Sequence, residues 1–206
     1  MKVFQVMLLS LVVNCVAQTV SAQDNNTTMV MNTFSVVSAF SLPPWESAKS
    51  FGKASEFHRQ QGKTPSGINA FIWEAIPKGQ TFDNWTQLYA VFAQYPIRGR
   101  IQRHVQEQIG HYKMACIDVA VQETQNTPMN TAQFVVFCSS YTNAPDMGEV
   151  AFFNLQLIDT TLVKNYFHQK VPSFSIENGR TNPKISAQEL ISYRVLVSQL
   201  MLSPRS

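Results

Sequence analysis

The chain has 206 residues, which is enough for one ordinary domain with its own core and too few for two comfortable ones. Hydrophobic residues make up 45% and charged residues 14%, so the composition is globular and the surface is rich in amides, serine and threonine. The formal net charge is +3, far from the basic excess of proteins that follow nucleic acid phosphates. We therefore expect no nucleic acid partner.

The N-terminus has the features of a secretory signal peptide at residues 1–22. Lys2 gives a positive start, residues 3–13 are almost entirely apolar, and small residues precede a cleavage site after Ala22. The apolar run is shorter than the roughly 20 residues that a transmembrane helix needs, and no later segment reaches that length. We therefore expect an exported protein, periplasmic or secreted, without a transmembrane segment.

Two other processing sites stay open. Residues 11–15 (LVVNC) are similar to a lipoprotein-processing box, in which Cys15 would carry a lipid anchor, but Asn14 is a poor residue before that cysteine. A second small-residue site ends at Ala17. Cleavage after Ala22 would leave residues 23–32 as a flexible N-terminus and residues 33–206 as a single domain.

The first half of the mature chain has mainly strand patterns. Alternating or β-favouring apolar side chains predict strands at 33–42, 68–76 and 85–95. Residues 45–67 form a polar insertion with weak periodicity, for which a short helix at 46–59 is one interpretation. The insertion is either a flap over a site or a plain surface connection.

A helix at 98–113, with apolar side chains at helical spacing, precedes a predicted hairpin that carries the two mature cysteines. Residues 116–124 and 131–138 are strand-like, and a turn-forming segment separates them. A symmetrical hairpin places Cys116 opposite Cys138, and an even cysteine pair in an exported protein indicates a disulfide. The alternative is a pair of buried, unreactive thiols.

The last third of the chain predicts one strand and two helices. Residues 150–158 alternate as a strand does, and a helix is expected at 159–171. A capping box formed by Ser186 and Glu189 opens the final helix. Together the elements predict an α+β fold, in which an antiparallel sheet of about six strands is packed by helices.

The segment 74–86 (EAIPKGQTFDNWT) resembles the signature Glu-x-x-Pro-x-Gly-(Glu/Gln)-x-x-x-Asn-Trp-Thr of small exported bacterial proteins, most of them without an assigned function. The likeness covers roughly residues 68–171. The order of elements is more distantly similar to the fold of PsbP, an extrinsic photosystem protein, and of DcrB, a bacterial envelope lipoprotein. The resemblance implies a bacterial source, a PsbP-like α/β/α sandwich and a role in binding or in assisting assemblies.

The same segment has a physical interpretation of its own. Pro77 fixes φ and Gly79 accepts positive φ, so these residues specify a turn. Trp85 is large enough to hold the returning strand against the core. The alternative is that Trp85 forms a wall on which a ligand stacks.

Three arginines crowd the start of the helix predicted at 98–113. Arg98, Arg100 and Arg103 add positive charge where a helix N-terminus is already positive. They either form an anion site for phosphate, a carboxylate, or an acidic lipid or polysaccharide, or point in different directions into solvent.

No catalytic motif stands out. The sequence has neither a Gly-x-Ser-x-Gly elbow nor a cysteine with a nearby base. His104, Glu107 and His111 share one side of a helix at a spacing that is poor for chelation, so we expect no metal and no cofactor. An enzyme would need residues that converge only in three dimensions, such as His58, His104 and Asp118 beneath the insertion.

We therefore expect a non-enzymatic binding or accessory protein of the bacterial envelope that contacts a protein partner or a small ligand. A secreted hydrolase with a non-contiguous site and a secreted virulence effector are the alternatives. A closed, dry pocket around the residues named for an enzyme would favour catalysis, and an exposed apolar groove would favour binding.

Overall fold

An antiparallel sheet of seven strands forms the centre of the computed structural model, which describes residues 27–124 and 127–205. The predicted signal peptide at 1–22 and both alternative processing sites lie outside these residues. In the order in which they pair, the strands are β3 (Ser55–Lys63), β4 (Asn69–Pro77), β5 (Gln87–Tyr95), β9 (Thr161–Pro172), β8 (Met147–Ile158), β7 (Thr131–Cys138) and β6 (Val119–Glu123).

Further elements pack on both faces of this sheet. One face carries helix α1 (Ile101–Ala115), which contacts β6, β7 and β8. The other face carries helix α2 (Ala187–Ser198) and a second sheet of three strands, in the order β1 (Thr28–Thr33), β2 (Val36–Ser41) and β12 (Met201–Pro204). A short hairpin of β10 (Ile176–Glu177) and β11 (Arg180–Thr181) lies between β9 and α2 in the chain.

Because successive side chains of a strand point to opposite faces, the large sheet has a core on each side. The core beneath the small sheet and α2 includes Phe40, Trp73, Tyr89, Phe152, Phe167 and Tyr193. The core beneath α1 includes Ile101, Val105, Ile109, Phe134, Phe153 and Leu155. The central strands are therefore apolar on both faces.

The predicted antiparallel sheet with helices packed against it is present. It has seven strands instead of about six, and the helices in the described part of the chain are α1, of 15 residues, and α2, of 12. The fold is therefore richer in β-structure than expected. The predicted capping box is confirmed, because the Ser186 hydroxyl accepts a hydrogen bond from the Glu189 N–H at the start of α2.

The helix expected at 159–171 is wrong, because this segment is strand β9. A turn with Asp159 at a φ of 51° returns the chain directly from β8, and all twelve residues of β9 pair with β8. Both faces of β9 are at least partly buried, so apolar residues such as Leu162 and Val163 stand side by side. Adjacent apolar residues interrupt the alternation that identifies a strand, and their spacing resembles that of a helix.

The short helix suggested at 46–59 is also wrong. Residues 55–63 form β3, an edge strand whose side chains are mostly exposed and polar, so it lacks the alternation that identifies a strand. At the N-terminus, β1 begins inside the stretch 23–32 that was expected to be flexible. Its Met29 and Met31 pack against the core, which explains why this segment is ordered as a strand.

The disulfide between Cys116 and Cys138 is confirmed, with the two Cα atoms 5.6 Å apart. The predicted hairpin register is wrong, because Val119 and not Cys116 lies opposite Cys138. Cys116 lies outside the hairpin as the C-cap residue of α1. The disulfide therefore joins the end of α1 to β7, at the edge of the core beneath the helix.

Candidate functional site

A cavity of about 430 Å³ opens where β5 leads into α1. Its walls come from the turn between β3 and β4, the end of β5, the connection to α1 and the first two turns of that helix. The polar side chains that line it are Ser66, Gln94, Arg98, Arg103, His104 and Glu107. We call it the basic cavity.

The backbone around the basic cavity is well anchored. Ile97 and Ile101 are buried beneath α1, and the Ile97 N–H donates a 2.7 Å hydrogen bond to the Thr160 carbonyl. These contacts hold the connection on which Arg98 lies. The N-cap residue of α1, Arg100, makes no side-chain cap, and the first turn contains no acidic residue. The positive end of the helix dipole is therefore not compensated locally.

The charges in the basic cavity leave it net positive. Glu107 Oε1 accepts a 2.9 Å hydrogen bond from Arg103 Nε, and its Oε2 lies 3.0 Å from His104 Nδ1. Partial burial raises the pKa of Glu107, but its hydrogen bonds with Arg103 and His104 prevail and hold that pKa below its usual range. Arg98 has no carboxylate within 4.0 Å in the described part of the chain. One negative charge therefore faces two arginines.

The histidine of this cavity is nine-tenths buried. The side chain of His104 is 10% exposed, and its Nε2 atom has no hydrogen-bond partner among the described residues. Because Nδ1 is engaged by Glu107, Nε2 is the ring atom left for a further partner.

The structure brings together two of the four predicted binding residues. Arg98 and Arg103 line the basic cavity, whereas the exposed Arg100 between them does not. Trp85 lies just before the start of β5, nine residues from Gln94. The strand residues between them, 87–94, alone span about 23 Å. There Trp85 packs on the sheet, and Lys170 Nζ lies 4.1 Å from the centre of its ring.

A buried carboxylate cluster lies under the other end of α1, and the sequence analysis missed it. Glu149 of β8 is only 2% exposed. Its carboxylate accepts hydrogen bonds from the hydroxyls of Tyr112 on α1 and Tyr141 in the loop before β8. His168 Nδ1 of β9 lies 3.2 Å from the same carboxylate. A glutamate next to the apolar run 150–153 was the available signal, since glutamate is almost never fully buried unless paired.

This cluster fastens α1 to the sheet. Burial raises the pKa of Tyr112, and the adjacent Glu149 carboxylate raises it further, so the phenol stays a hydrogen-bond donor. The Nε2 atom of His168 is shielded from water and has no hydrogen-bond partner in the part of the chain that the structure describes, and the ring contacts Phe153 and Tyr166. Because its reactive atoms are not accessible, the cluster stabilises the helix–sheet interface and offers no surface for a substrate.

Lys164 lies on β9 between the basic cavity and this cluster. Its Nζ donates a 3.1 Å hydrogen bond to Gln108 of α1 and lies 4.5 Å from the centre of the Phe92 ring. Burial lowers the pKa of Lys164 to about 8, while the Glu107 carboxylate acts in the opposite direction. Lys164 is therefore a partly buried contact between β9 and α1, next to the basic cavity.

The residues considered for a hydrolase do not converge. His58 belongs to β3 and packs against Phe82, whereas His104 lies in the first turn of α1. Asp118 lies beyond the C-terminal end of the same helix, and that end is about 16 Å from His104 at 1.5 Å per helical residue. Within residues 27–124 and 127–205, no three histidine, cysteine or acidic residues are grouped as metal ligands.

No family model matches this chain, and neither a curated protein nor a solved structure matches it. The described helices include none that is long and apolar enough to cross a membrane.

Proposed function

We propose that this protein is an exported binding protein of the bacterial envelope and that the basic cavity holds a small oxyanion, such as a phosphate or carboxylate group. The observation that carries the proposal is that Arg98, Arg103 and the nine-tenths-buried His104 line one cavity beside the first turn of α1. Arginine guanidinium groups bind such anions through charge-assisted hydrogen bonds, and the positive end of a helix favours an anion nearby.

Further polar groups support recognition of one small ligand. The amide of Gln94 and the hydroxyl of Ser66 line the same cavity and offer neutral hydrogen bonds beside the arginines. A bound oxyanion would share Arg103 with Glu107, so we expect moderate affinity that weakens as salt is added.

The chemistry of the lining favours binding over catalysis. The Ser66 hydroxyl is hydrogen-bonded to Thr64, and His104 is hydrogen-bonded to Glu107. Serine and histidine therefore do not form the hydrogen-bonded nucleophile and base that hydrolysis requires.

Export and the finer fold assignment belong to the same proposal. Export is supported by the predicted leader and by the Cys116–Cys138 disulfide, which persists best in an oxidising compartment. A PsbP-like sandwich is supported by the presence of one helix on each face of the large sheet. The likeness to the small exported bacterial proteins stays a prediction, carried by the segment 74–86.

Calorimetric titration of the mature chain tests the cavity, with inorganic phosphate and succinate as probes at low ionic strength. Arg98→Ala and Arg103→Ala should each weaken binding about tenfold or more, because a hydrogen bond to a charged group contributes about 1.5–3 kcal/mol. Arg100→Ala is the matched control, since it removes the same charge from the same helix start but lies outside the cavity.

Two results would contradict the cavity as the binding site. One is the lack of measurable binding of both anions to the wild-type protein. The other is an equal loss of affinity in Arg100→Ala, which would indicate general charge attraction instead of a defined site.

A further inference from the structure

The small sheet covers only part of the face on which it packs. Trp73 of β4 and Arg59 of β3 are direct cross-strand neighbours on that face. Trp73 is 7% exposed beneath the small sheet, whereas Arg59 is exposed and Phe57, two residues away on the same face, is 39% exposed. The cover therefore ends between β4 and β3, and β3 projects beyond it.

An open groove of about 540 Å³ lies where the small sheet ends and β3 becomes exposed. Its wall is formed by Val30, Met31 and Asn32 of β1, and its floor by Phe57, Arg59 and Trp73. Neighbouring strands lie about 4.8 Å apart, so one further strand beside β1 would lie over the uncovered β3. The groove thus has the position and width of a fourth strand of the small sheet.

The edge of β1 lacks the usual protection against strand pairing. Among the described strands β1 pairs only with β2, so its other edge is open. Its sequence, TMVMNT, has no charge and no proline, and Val30 is 68% exposed. Natural proteins usually guard an open edge with lysine, proline or a bulge. An unguarded edge above a floor in which the rings of Phe57 and Trp73 lie beside Arg59 is suited to accept an added strand.

We propose that β1 accepts an extended segment of a partner protein as a fourth strand of the small sheet. Phe57 and Arg59 stand two residues apart on the floor, which matches the two-residue period of side chains on a strand. Arg59 lies 5.3 Å from the centre of the Phe71 ring and has no carboxylate within 4.0 Å in residues 27–124 and 127–205. The segment that fits therefore carries an apolar and an acidic side chain in the pattern apolar-x-acidic.

A second copy of the chain fits this groove less well. Its own β1 carries no acidic residue to pair with Arg59. Its own β3 would also project beyond its small sheet, so two projecting strands would compete for the same space when two β1 edges meet. A single extended segment has neither difficulty.

Binding of labelled hexapeptides, measured by fluorescence polarisation, tests the proposal. The probe is threonine–valine–threonine–glutamate–threonine–valine, and the matched peptide has lysine in place of glutamate. Wild-type protein should prefer the glutamate peptide by about tenfold or more, and Arg59→Glu should reverse that preference. Lys113→Glu makes the same charge change on exposed α1 and should leave the preference as it is.

A second variant tests strand addition separately from charge. Val30→Asp places a charge on the open edge and should abolish binding of either peptide. The proposal is overturned if the wild-type protein binds neither peptide, if Arg59→Glu keeps the original preference, or if Val30→Asp binds normally. Thermal unfolding verifies that each variant is folded. The combined Arg98→Ala and Arg103→Ala variant should bind the peptide normally, so failure of the anion site is distinguishable from failure of this groove.

Discussion

At the scale of single residues, we expect the buried His168 to make the stability of the fold depend on pH. His168 belongs to β9, and its ring lies beneath α1 among Glu149, Tyr112 and Tyr166. Burial lowers the pKa of His168, the Glu149 carboxylate opposes this shift, and the charge on Lys164 adds to it. The imidazole is therefore held neutral in the folded protein at pH values where an exposed histidine takes up a proton.

We expect the free energy of unfolding to fall as the pH drops below about 6.5, the ordinary pKa of histidine in an unfolded chain. In that range His168 binds a proton in the unfolded chain but not in the folded protein, so protonation favours unfolding. Urea unfolding at pH 7.5 and 5.5 measures the difference. His168→Gln should reduce it, whatever its effect on stability at pH 7.5. An unchanged pH dependence in this variant would contradict the assignment.

The residues that sequence analysis identified, and those it missed, differ in how local their signal is. Arg98 and Arg103 were found because three arginines at one helix start form a pattern within six positions. Gln94 and Ser66 complete the same cavity from other strands and turns, and nothing local marks them. Glu149 was overlooked because its partners come from α1, a loop and β9, which only the fold brings together.

At the scale of elements, the second residue of β8, Gly148, has no room for a side chain. A Cβ atom on Gly148 would lie 2.6 Å from the Ser139 carbonyl oxygen and 2.8 Å from that of Cys138. These are backbone atoms at the end of the neighbouring strand β7, so they cannot rotate away as the end of a flexible side chain could. Gly148 therefore permits the close approach that carries the adjacent Glu149 into its cluster.

Gly148→Ala should lower the free energy of unfolding by about 2 kcal/mol, because overpacking in a fixed environment costs about 1–3 kcal/mol. Gly110→Ala is the matched control. It lies within α1, where an added Cβ meets nothing within 4 Å, and alanine should raise stability by up to about 1 kcal/mol. Urea unfolding of both variants measures the two effects. Loss of stability in both, or in neither, would be inconsistent with the packing described for β8.

Elements were predictable where one face alone is apolar or a cap is explicit. The capping box of α2 and the single buried face of α1 specify their elements locally. Strand β9 has buried residues on both faces and β3 has almost none, so neither shows a period of two. β9 is a strand because it pairs with β8, and β3 is a strand because it pairs with β4. Neither pairing can be predicted from the local sequence.

At the scale of the whole molecule, the Cys116–Cys138 disulfide is a covalent cross-link between α1 and the large sheet. It fastens the end of α1 to β7, close to the Glu149 cluster that holds the same helix through hydrogen bonds. Both cysteines are buried in the core beneath α1. The helix is thus held at its C-terminal end, while the start of α1 forms one wall of the basic cavity.

Reduction of the disulfide should lower the free energy of unfolding by about 3 kcal/mol, since the bond closes a loop between residues 22 apart and restricts the unfolded chain. Most of that effect lies in the unfolded state, so the reduced protein should keep its native circular dichroism spectrum. Its denaturant dependence should also steepen, because a reduced chain exposes more surface when it unfolds. Urea unfolding with and without a phosphine reductant measures both quantities. A Cys116→Ala/Cys138→Ala variant should show no response to the reductant, and unchanged stability of the wild-type protein on reduction would contradict the expectation.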